Sequence, residues 1–266
     1  EVDVILTEAA EKFVTPLSFQ SVTGRKAFTD DDLWGGDAHV LHVGLGHKAN
    51  LLVVAPATAN TIARMAHGLS ENLLSITTLA ARCPILIAPA MDAGMYEHPA
   101  TQENVRLLES RGVVFAGPDE GRMASGLVGR GRFVEPAELL GHIRLLLGRK
   151  GKLAGRKVVV TAGGTQEPLD PVRFLTNRSS GKQGYAIAQA ALDSGGEVVL
   201  ISTPTALAAP VGARLVTAVT AAEMMEAVMR ESEDAAALIM AAAVADFRPK
   251  KPAGDKLKKR DGSTQR

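Results

Sequence analysis

The chain has 266 residues, of which 46% are hydrophobic, 22% charged and 4% aromatic, a composition typical of a globular protein rich in aliphatic side chains. Thirty basic and 29 acidic residues leave a formal net charge of +1, which gives no electrostatic reason to expect nucleic-acid binding. The one cysteine, Cys83, excludes an intrachain disulfide and a cysteine-rich zinc site. No apolar run approaches the roughly 20 residues of a membrane span and no secretory leader is recognisable, so we expect a cytoplasmic protein.

Apolar runs and helical patterns alternate through the first half of the chain. We predict a strand at 2–6, helices at 8–14 and 17–23, and a polar loop at 25–38. The pattern then predicts strands at 50–55, 84–88 and 113–115 and helices at 61–67, 73–81, 100–111 and 137–147. Residues 117–132 are rich in glycine and receive no strand or helix. Strands this continuously apolar are typical of parallel sheets covered on both faces.

The alternation resumes after a short basic, glycine-bearing break at 148–152, where we place a domain boundary. The second half carries predicted strands at 157–162, 197–202, 214–217 and 237–241, and helices at 181–193 and 221–232. Thr220 and Glu223 predict a capping box at the start of the last helix. The sequence therefore predicts an α/β protein of two doubly wound, parallel-sheet, Rossmann-like domains, at 1–150 and 151–266.

Polar or glycine-rich segments follow the predicted strands of the first domain, at 56–60, 89–95 and 117–132. Ligands of open parallel sheets bind beyond the carboxyl ends of the strands. Thr58, Asn60 and nearby backbone amides are therefore candidates to hold a phosphate or a planar ring. Ordinary helix capping and turn chemistry explain the same residues equally well, so spacing alone leaves both interpretations open.

Three segments, 55–60 (APATAN), 71–74 (ENLL) and 89–96 (PAMDAGMY), resemble signatures of the flavin-dependent cysteine decarboxylases. The resemblance implies a flavodoxin-like fold and an FMN cofactor held by Thr58, Asn60, Ala88, Pro89 and Met91. It further implies a glycine-rich substrate clamp at 121–132, an active-site histidine, His42, and a substrate-binding Met95. On residue type alone, His42 would be read as a surface or core histidine.

The chemistry that this resemblance implies is oxidation of a cysteinyl thiol by FMN, loss of CO2, and return of the electrons from the flavin. Two candidate catalytic residues depart from the family's pattern. Asp92 replaces an asparagine whose amide donates to the substrate carboxylate, so Asp92 must be protonated or contact another group. Ser125 replaces the cysteine to which the last proton donation is assigned. Because a hydroxyl is a weaker acid than a thiol, we expect another donor to act or this step to be altered.

In the second domain, residues 157–188 combine a buried strand, a glycine turn and a hydroxyl-rich helix start, which predicts a site for a phosphorylated ligand. The segments 161–173 (TAGGTQEPLDPVR), 177–184 (NRSSGKQG), 241–247 (AAAVADF) and 256–259 (KLKK) resemble those of phosphopantothenate–cysteine ligases. The resemblance implies that CTP, with Mg2+, activates the carboxylate of 4′-phosphopantothenate. Cysteine then attacks the acyl-cytidylate.

The same resemblance assigns roles to individual residues. Asn177 would hold the acyl-cytidylate, Lys256 would assist its formation, and Asp246 would meet the nucleotide or its Mg2+. The nucleotide pocket is assigned to Gly163, Gly164, Ser179, Ser180, Gly181, Lys182 and Ala243. Arg173 is either structural or substrate-facing, and the sequence does not separate the two. Without the motif, the basic cluster of Lys256, Lys258, Lys259 and Arg260 would be read as a solvated surface.

Together the two resemblances predict a bifunctional enzyme of coenzyme A biosynthesis, incomplete at both ends. Two alternatives stay open: an active ligase with an impaired decarboxylase domain, and a regulatory flavoprotein subunit on the same scaffold. The expected partners are the small molecules 4′-phosphopantothenate, cysteine and CTP. We expect no nucleic acid and no membrane, and a homo-oligomer, which by the resemblance would be a dodecamer.

Overall fold

A computed structural model describes residues 1–34 and 41–257 and divides the chain into two compact units, Glu1–Leu146 and Leu147–Arg266. The last part of the predicted loop at 25–38 and the basic residues 258–260 lie outside the described residues. In the described ranges, no helix is long and apolar enough to cross a membrane.

The first unit opens with a small parallel pair of strands. β1 (Val4–Ile5) pairs with β2 (Ala27–Phe28), and the helices α1 (Glu8–Glu11) and α2 (Pro16–Thr23) lie between them. The opening strand and first helix are shorter than predicted. The region predicted as a polar loop contains β2 and a 3-10 helix at Asp30–Trp34.

A three-stranded parallel sheet forms the centre of this unit, in the order β3 (Leu52–Ala57), β4 (Ile85–Pro89), β5 (Val114–Phe115). Its helices are α3 (Leu41–Lys48), α4 (Ala59–His67), α5 (Leu73–Ala80), α6 (Ala93–Glu97), α7 (Pro99–Ser110) and α8 (Pro136–Gly148). Ile87 packs with Ile62 of α4 and Val105 of α7, while its neighbour Leu86 packs with Leu146 of α8. Successive side chains of a strand point to opposite faces, so helices cover both faces of the sheet.

The glycine-rich segment 117–132, to which the sequence analysis assigned no strand, contains two. β6 (Asp119–Arg122) and β7 (Val128–Arg132) form an antiparallel hairpin. Gly126 occupies its turn with a φ of 85°, a left-handed conformation that glycine adopts without steric cost. Charged residues and glycines conceal the alternation from which a strand is usually recognised.

The second unit contains β8 (Lys157–Ala162), β9 (Gln166–Pro168), β10 (Phe174–Thr176), β11 (Glu197–Ser202), β12 (Arg214–Thr217) and β13 (Ala237–Met240). Its parallel sheet has the order β12-β11-β8-β13. Val159 and Ile201 pack with α10 (Ala221–Ser232), whereas Ala162 lies against Gly184 of α9 (Lys182–Asp193) on the other face. The predicted α/β fold with parallel sheets is therefore confirmed. The antiparallel pair β9–β10 was not predicted.

Candidate functional site

An open pocket of about 370 Å3 lies beyond the carboxyl end of the first unit's sheet. Two of its residues, Asp92 and Met95, were predicted from the sequence. The others are the short side chains or backbone of Ala59 and Gly94, and the polar side chains of His98 and Thr101. His98 and Thr101 were not predicted from the sequence; in the structure His98 is also the N-cap of α7, and Thr101 lies in the first turn of that helix. The start of α4 and the segment 92–101 thus meet at one pocket.

Asp92 and Ser125, the two departures from the decarboxylase pattern, contact each other. The Ser125 hydroxyl donates to Oδ2 of Asp92 at 2.7 Å, and the amide of Gly94 donates to Oδ1 at 3.0 Å. The Asp92 side chain thereby caps α6 with one oxygen and binds the hairpin turn with the other. Of the two alternatives expected for Asp92, protonation or contact with another group, these hydrogen bonds correspond to the second.

The hairpin β6–β7 lies close against the segment 91–95. The amide of Met91 donates to the carbonyl of Gly131 at 3.0 Å, and a methyl group at Gly131 would overlap the carbonyl oxygen of Met91. Arg130 extends over the ring of Tyr96, with its guanidinium carbon 5.5 Å from the ring centre. Sequence reasoning missed this cation–π contact, because no sequence spacing connects the two residues.

The predicted flavin-binding residues lie at the ends of β3 and β4 and the start of α4. Thr58 is the N-cap of α4 and accepts from the amide of Thr61 at 3.3 Å. Asn60 accepts from Arg64, which in turn pairs with Glu71 at 2.8 Å, so the segments 55–60 and 71–74 are joined. Ala88 and Pro89 are buried at the end of β4, and Met91 is half-buried.

His42 lies in the first turn of α3, a helix that the sequence did not predict. Its Nδ1 is buried and has no hydrogen-bond partner among the described residues. A buried ring nitrogen without a partner is unusual, and a bound group can supply the missing hydrogen bond. This nitrogen fits a polar planar cofactor such as a flavin, whose ring edges carry hydrogen-bonding groups.

In the second unit, Asn177 lies in a hydrogen-bonded cluster at the carboxyl end of β8. Its Nδ2 donates to the carbonyl of Val244 at 3.0 Å. The amide of Ala243 donates to Gly163 at 2.7 Å, and the amide of Thr165 donates to Ala243 at 3.2 Å. The side chain of Asn177 is thus oriented by the loop that follows β13, next to the glycine turn.

The start of α9 has no side-chain cap, and its N-cap is Gly181 with a φ of 75°. Hydroxyls of Ser179 and Ser180 accept from the amides of Gly181 and Lys182 at 3.4 and 3.5 Å, which are long hydrogen bonds. The helix N-terminus therefore retains amides and a positive dipole end that suit a phosphate. A side chain at Gly163 would overlap the hydroxyl of Thr203, so this turn requires glycine.

The remaining predicted residues of this unit lie at its surface. Asp246 and Lys256 are exposed. Within residues 1–34 and 41–257, no group of three or more His, Cys, Asp or Glu side chains is arranged to hold a metal ion. Arg173 pairs with the buried Asp170, a residue to which the sequence assigned no role.

The parallel sheet with a pocket beyond its strand ends defines the first unit as an α/β protein of flavodoxin type. Residues 1–147 match the family described as Flavoprotein, and the chain belongs to this family. Residues 153–265 match the family described as DNA/pantothenate metabolism flavoprotein C-terminal domain.

Similar proteins include the coenzyme A biosynthesis bifunctional protein CoaBC of Bacillus subtilis, 43% identical over 264 residues, covering 98% of this chain and 65% of that protein. The protein of that name from Mycobacterium bovis is 48% identical over 263 residues, covering 97% of this chain and 62% of its own length. The crystal structure of the FMN-dependent cysteine decarboxylase SpaF is 36% identical with a TM-score of 0.46, over 55% of this chain and 78% of that one. The chain thus spans less than two thirds of the length of these two curated relatives.

Proposed function

We propose that the intact protein acts in coenzyme A biosynthesis. In this proposal the first unit is an FMN-dependent phosphopantothenoylcysteine decarboxylase, and the second is a CTP-dependent phosphopantothenate–cysteine ligase. Membership of the flavoprotein family supports the first assignment, and curated relatives aligned along nearly the whole chain bear a bifunctional name. The observation that carries the ligase assignment is the cluster of Asn177 with Gly163 and Ala243 at one strand end.

In the first unit, Thr58, Asn60 and the backbone of Ala88, Pro89 and Met91 would hold the FMN. When bound, this cofactor supplies two-electron chemistry at the cysteinyl thiol. Met95 and Asp92 line the pocket beside it, and the hairpin β6–β7 covers the segment 91–95. His42, whose Nδ1 needs a partner, would position the reacting thiol or carboxylate or accept its proton.

A second candidate, decarboxylation without efficient final protonation, is favoured by the bond between Ser125 and Asp92. The hydroxyl proton of Ser125 points to a carboxylate and is held by a group that is a far weaker acid than a thiol. Loss of CO2 does not need this proton. We therefore infer that, unless another donor acts, the reaction stops at one unsaturated thiol product per flavin, which stays reduced.

In the second unit, amides at the start of α9 and Lys182 would bind the phosphates of CTP. Mg2+ would arrive with these phosphates, and the exposed carboxylate of Asp246 would be its one protein ligand. Asn177 would hold the acyl-cytidylate, since one of its amide hydrogens is committed to Val244 and the other remains for the substrate carbonyl. Lys256 would assist the formation of this intermediate.

A coupled assay on the intact protein tests both halves. Pyrophosphate release is measured with 4′-phosphopantothenate and cysteine in the presence of CTP, ATP or no nucleotide. CO2 release from phosphopantothenoylcysteine and the visible absorption of bound flavin are measured in parallel. We expect CTP-dependent pyrophosphate release that requires 4′-phosphopantothenate. The ligase assignment would be abandoned if no nucleotide supported release, and the decarboxylase assignment if flavin-loaded protein released no CO2.

A further inference from the structure

Asp170 lies in the turn between β9 and β10 and is buried, with 4% of its surface exposed. Its Oδ1 accepts from the amides of Val172 and Arg173 at 2.9 and 2.8 Å. Its Oδ2 accepts from Nη2 and Nε of Arg173 at 2.6 and 3.0 Å, and from the amide of Leu257 at 3.0 Å. Five donors therefore converge on one carboxylate, which is the environment of an ionised acid.

The segment 253–257 is attached to this turn at both of its ends. At one end, the amide of Ala253 donates to the carbonyl of Leu169 at 2.9 Å. At the other, both backbone groups of Leu257 are used, because its amide donates to Asp170 and its carbonyl accepts from Nη2 of Arg173 at 2.8 Å. Residues more than eighty positions apart in the chain are thus held together by three hydrogen bonds.

This arrangement favours the ionised form of Asp170. Hydrogen bonds from the guanidinium of Arg173, and from the amides of Val172, Leu257 and Arg173, hold the pKa of Asp170 well below its usual range, although burial opposes this. An asparagine at the same position would have no charge to pair with Arg173. It would also present amide hydrogens to donors if its nitrogen faced them.

We propose that Asp170 is a positioning residue for the proposed ligation: together with Arg173, it seats the segment 253–257 and thereby places Lys256 at the site. The proposal rests on the ligase function proposed for this unit. Lys256 itself is exposed, and its side chain has no ion-pair partner in the described part of the chain. Within that part, its anchored neighbours set where its amine can reach. Nε and Nη2 of Arg173 are committed to this anchor, which supports a structural role for Arg173 over a role as a ligand of the substrate phosphate.

Hydrogen exchange tests the attachment of the segment 253–257 to the turn that holds Asp170. It is measured by mass spectrometry on a peptide spanning residues 250–257 of the intact protein. Asp170→Asn should raise amide exchange in this peptide at least tenfold. Asp255→Asn, the same change at an exposed residue of the same segment, should alter it less than twofold. Should Asp170→Asn fail to fold, Arg173→Lys with Arg248→Lys as its control makes the same comparison. Unchanged exchange in the Asp170 or Arg173 variant would overturn the proposal.

Kinetics then test the positioning of Lys256. Pyrophosphate release with CTP and 4′-phosphopantothenate, in the absence of cysteine, reports formation of the acyl-cytidylate. Asp170→Asn should slow release at least tenfold while KM for 4′-phosphopantothenate stays within twofold. In a Lys256→Ala background, Asp170→Asn should not slow pyrophosphate release any further, because the side chain that Asp170 positions is absent.

A raised KM for 4′-phosphopantothenate with unchanged kcat in the Arg173→Lys variant would instead identify Arg173 as a phosphate ligand and overturn the positioning role. Failure of the unaltered protein to release pyrophosphate would contradict the proposed ligase function and with it the role of Lys256. The exchange experiment is independent of that result, so the two failures are distinguishable.

Discussion

Asp92 and Ser125 each depart from the decarboxylase pattern, and each departure looks unfavourable by itself. In the structure the two side chains form a hydrogen bond with each other. An aspartate needs donors, and Ser125 and the amide of Gly94 supply them at 2.7 and 3.0 Å. A cysteine at position 125 would be a poorer donor to a carboxylate, and the negative charge would disfavour its thiolate. We therefore expect the effects of substitutions at positions 92 and 125 on the reaction to depend on each other.

For this reason we expect Asp92→Asn combined with Ser125→Cys to exceed either single change. If proton donation from position 125 to the unsaturated thiol intermediate limits the last step, the double variant should yield at least tenfold more saturated product per CO2 than the unaltered protein. Ser125→Cys alone should fall short of it, because its thiol faces the Asp92 carboxylate. The measurement is the ratio of saturated to unsaturated thiol product by mass spectrometry. Equal ratios in the single and double variants would show that the pair is not coupled.

Glu231 is a second residue whose role is electrostatic. It is buried at the end of α10, bonded to Arg214 and within 3.7 Å of Lys157. The hydrogen bond from Arg214 is the main cause that lowers its pKa. Its stabilising contribution is therefore complete above about pH 4.3, the ordinary glutamate pKa, and is lost as the pH falls through the lower folded-state pKa.

Glu231→Gln should cost about 1–2 kcal/mol at neutral pH, less than for a fully buried pair because the Arg214 side chain is 56% exposed. Denaturant unfolding at pH 7 and at pH 3 measures the effect, which should shrink at the lower pH. Glu226→Gln, an exposed change on the same helix, is the control and should cost less than about 0.5 kcal/mol. A loss of equal size at both pH values would contradict the assigned ionisation.

At the scale of elements, the hairpin β6–β7 depends on glycines that let its backbone approach the segment 91–95. Gly131→Ala places a methyl group against the carbonyl oxygen of Met91, so the two segments must separate. We expect a loss of about 1–3 kcal/mol, typical of overpacking, and faster hydrogen exchange of the Met91 amide. Val128→Ala, at a position 71% exposed on the same strand, is the control and should leave that amide protected. Unchanged exchange in the glycine variant would show that the close approach is not required.

The central strands depend on burial on both faces. Leu200 of β11 is fully buried, whereas Leu215 of the neighbouring β12 is 47% exposed. Leu200→Ala should lower the free energy of unfolding by about 2–5 kcal/mol, because it removes buried methyl groups and leaves a cavity. Leu215→Ala should cost about 1 kcal/mol or less. Denaturant unfolding of both variants tests this, and similar losses would contradict the assigned depth of the two strands.

At the scale of the whole molecule, the residues of each proposed site come from one compact unit, His42 from the first and Asn177 from the second. Asn177→Ala should lower CTP-dependent ligation by about 10²–10³-fold, as for removal of a donor to a developing oxyanion. It should leave decarboxylation of supplied phosphopantothenoylcysteine within twofold, and His42→Ala should show the reverse pattern. Both activities are measured on each variant. Loss of both activities in either variant would show that the two sites do not act separately.

The homo-oligomeric assembly implied by the resemblance stays a prediction, which light scattering of the intact protein would check.

The sequence by itself determined the α/β class, the parallel sheets and most helices, because these depend on local periodicity and capping. Thr220 caps the helix that its position predicted, and strands 157–162 and 197–202 have the predicted bounds. The sequence motifs also identified the segments that follow the strands as candidate sites, since ligand sites of parallel sheets follow the carboxyl ends of strands.

Only the tertiary structure decided which residues meet. Glycine and charge obscured the hairpin β6–β7, and no spacing rule connects Ser125 with Asp92 or Leu257 with Asp170. Such contacts depend on chain segments brought together by burial of the sheet faces, so their partners are not encoded in the neighbouring sequence. For the same reason the sequence left Arg173 with two open roles, and only the tertiary structure showed its pairing with Asp170.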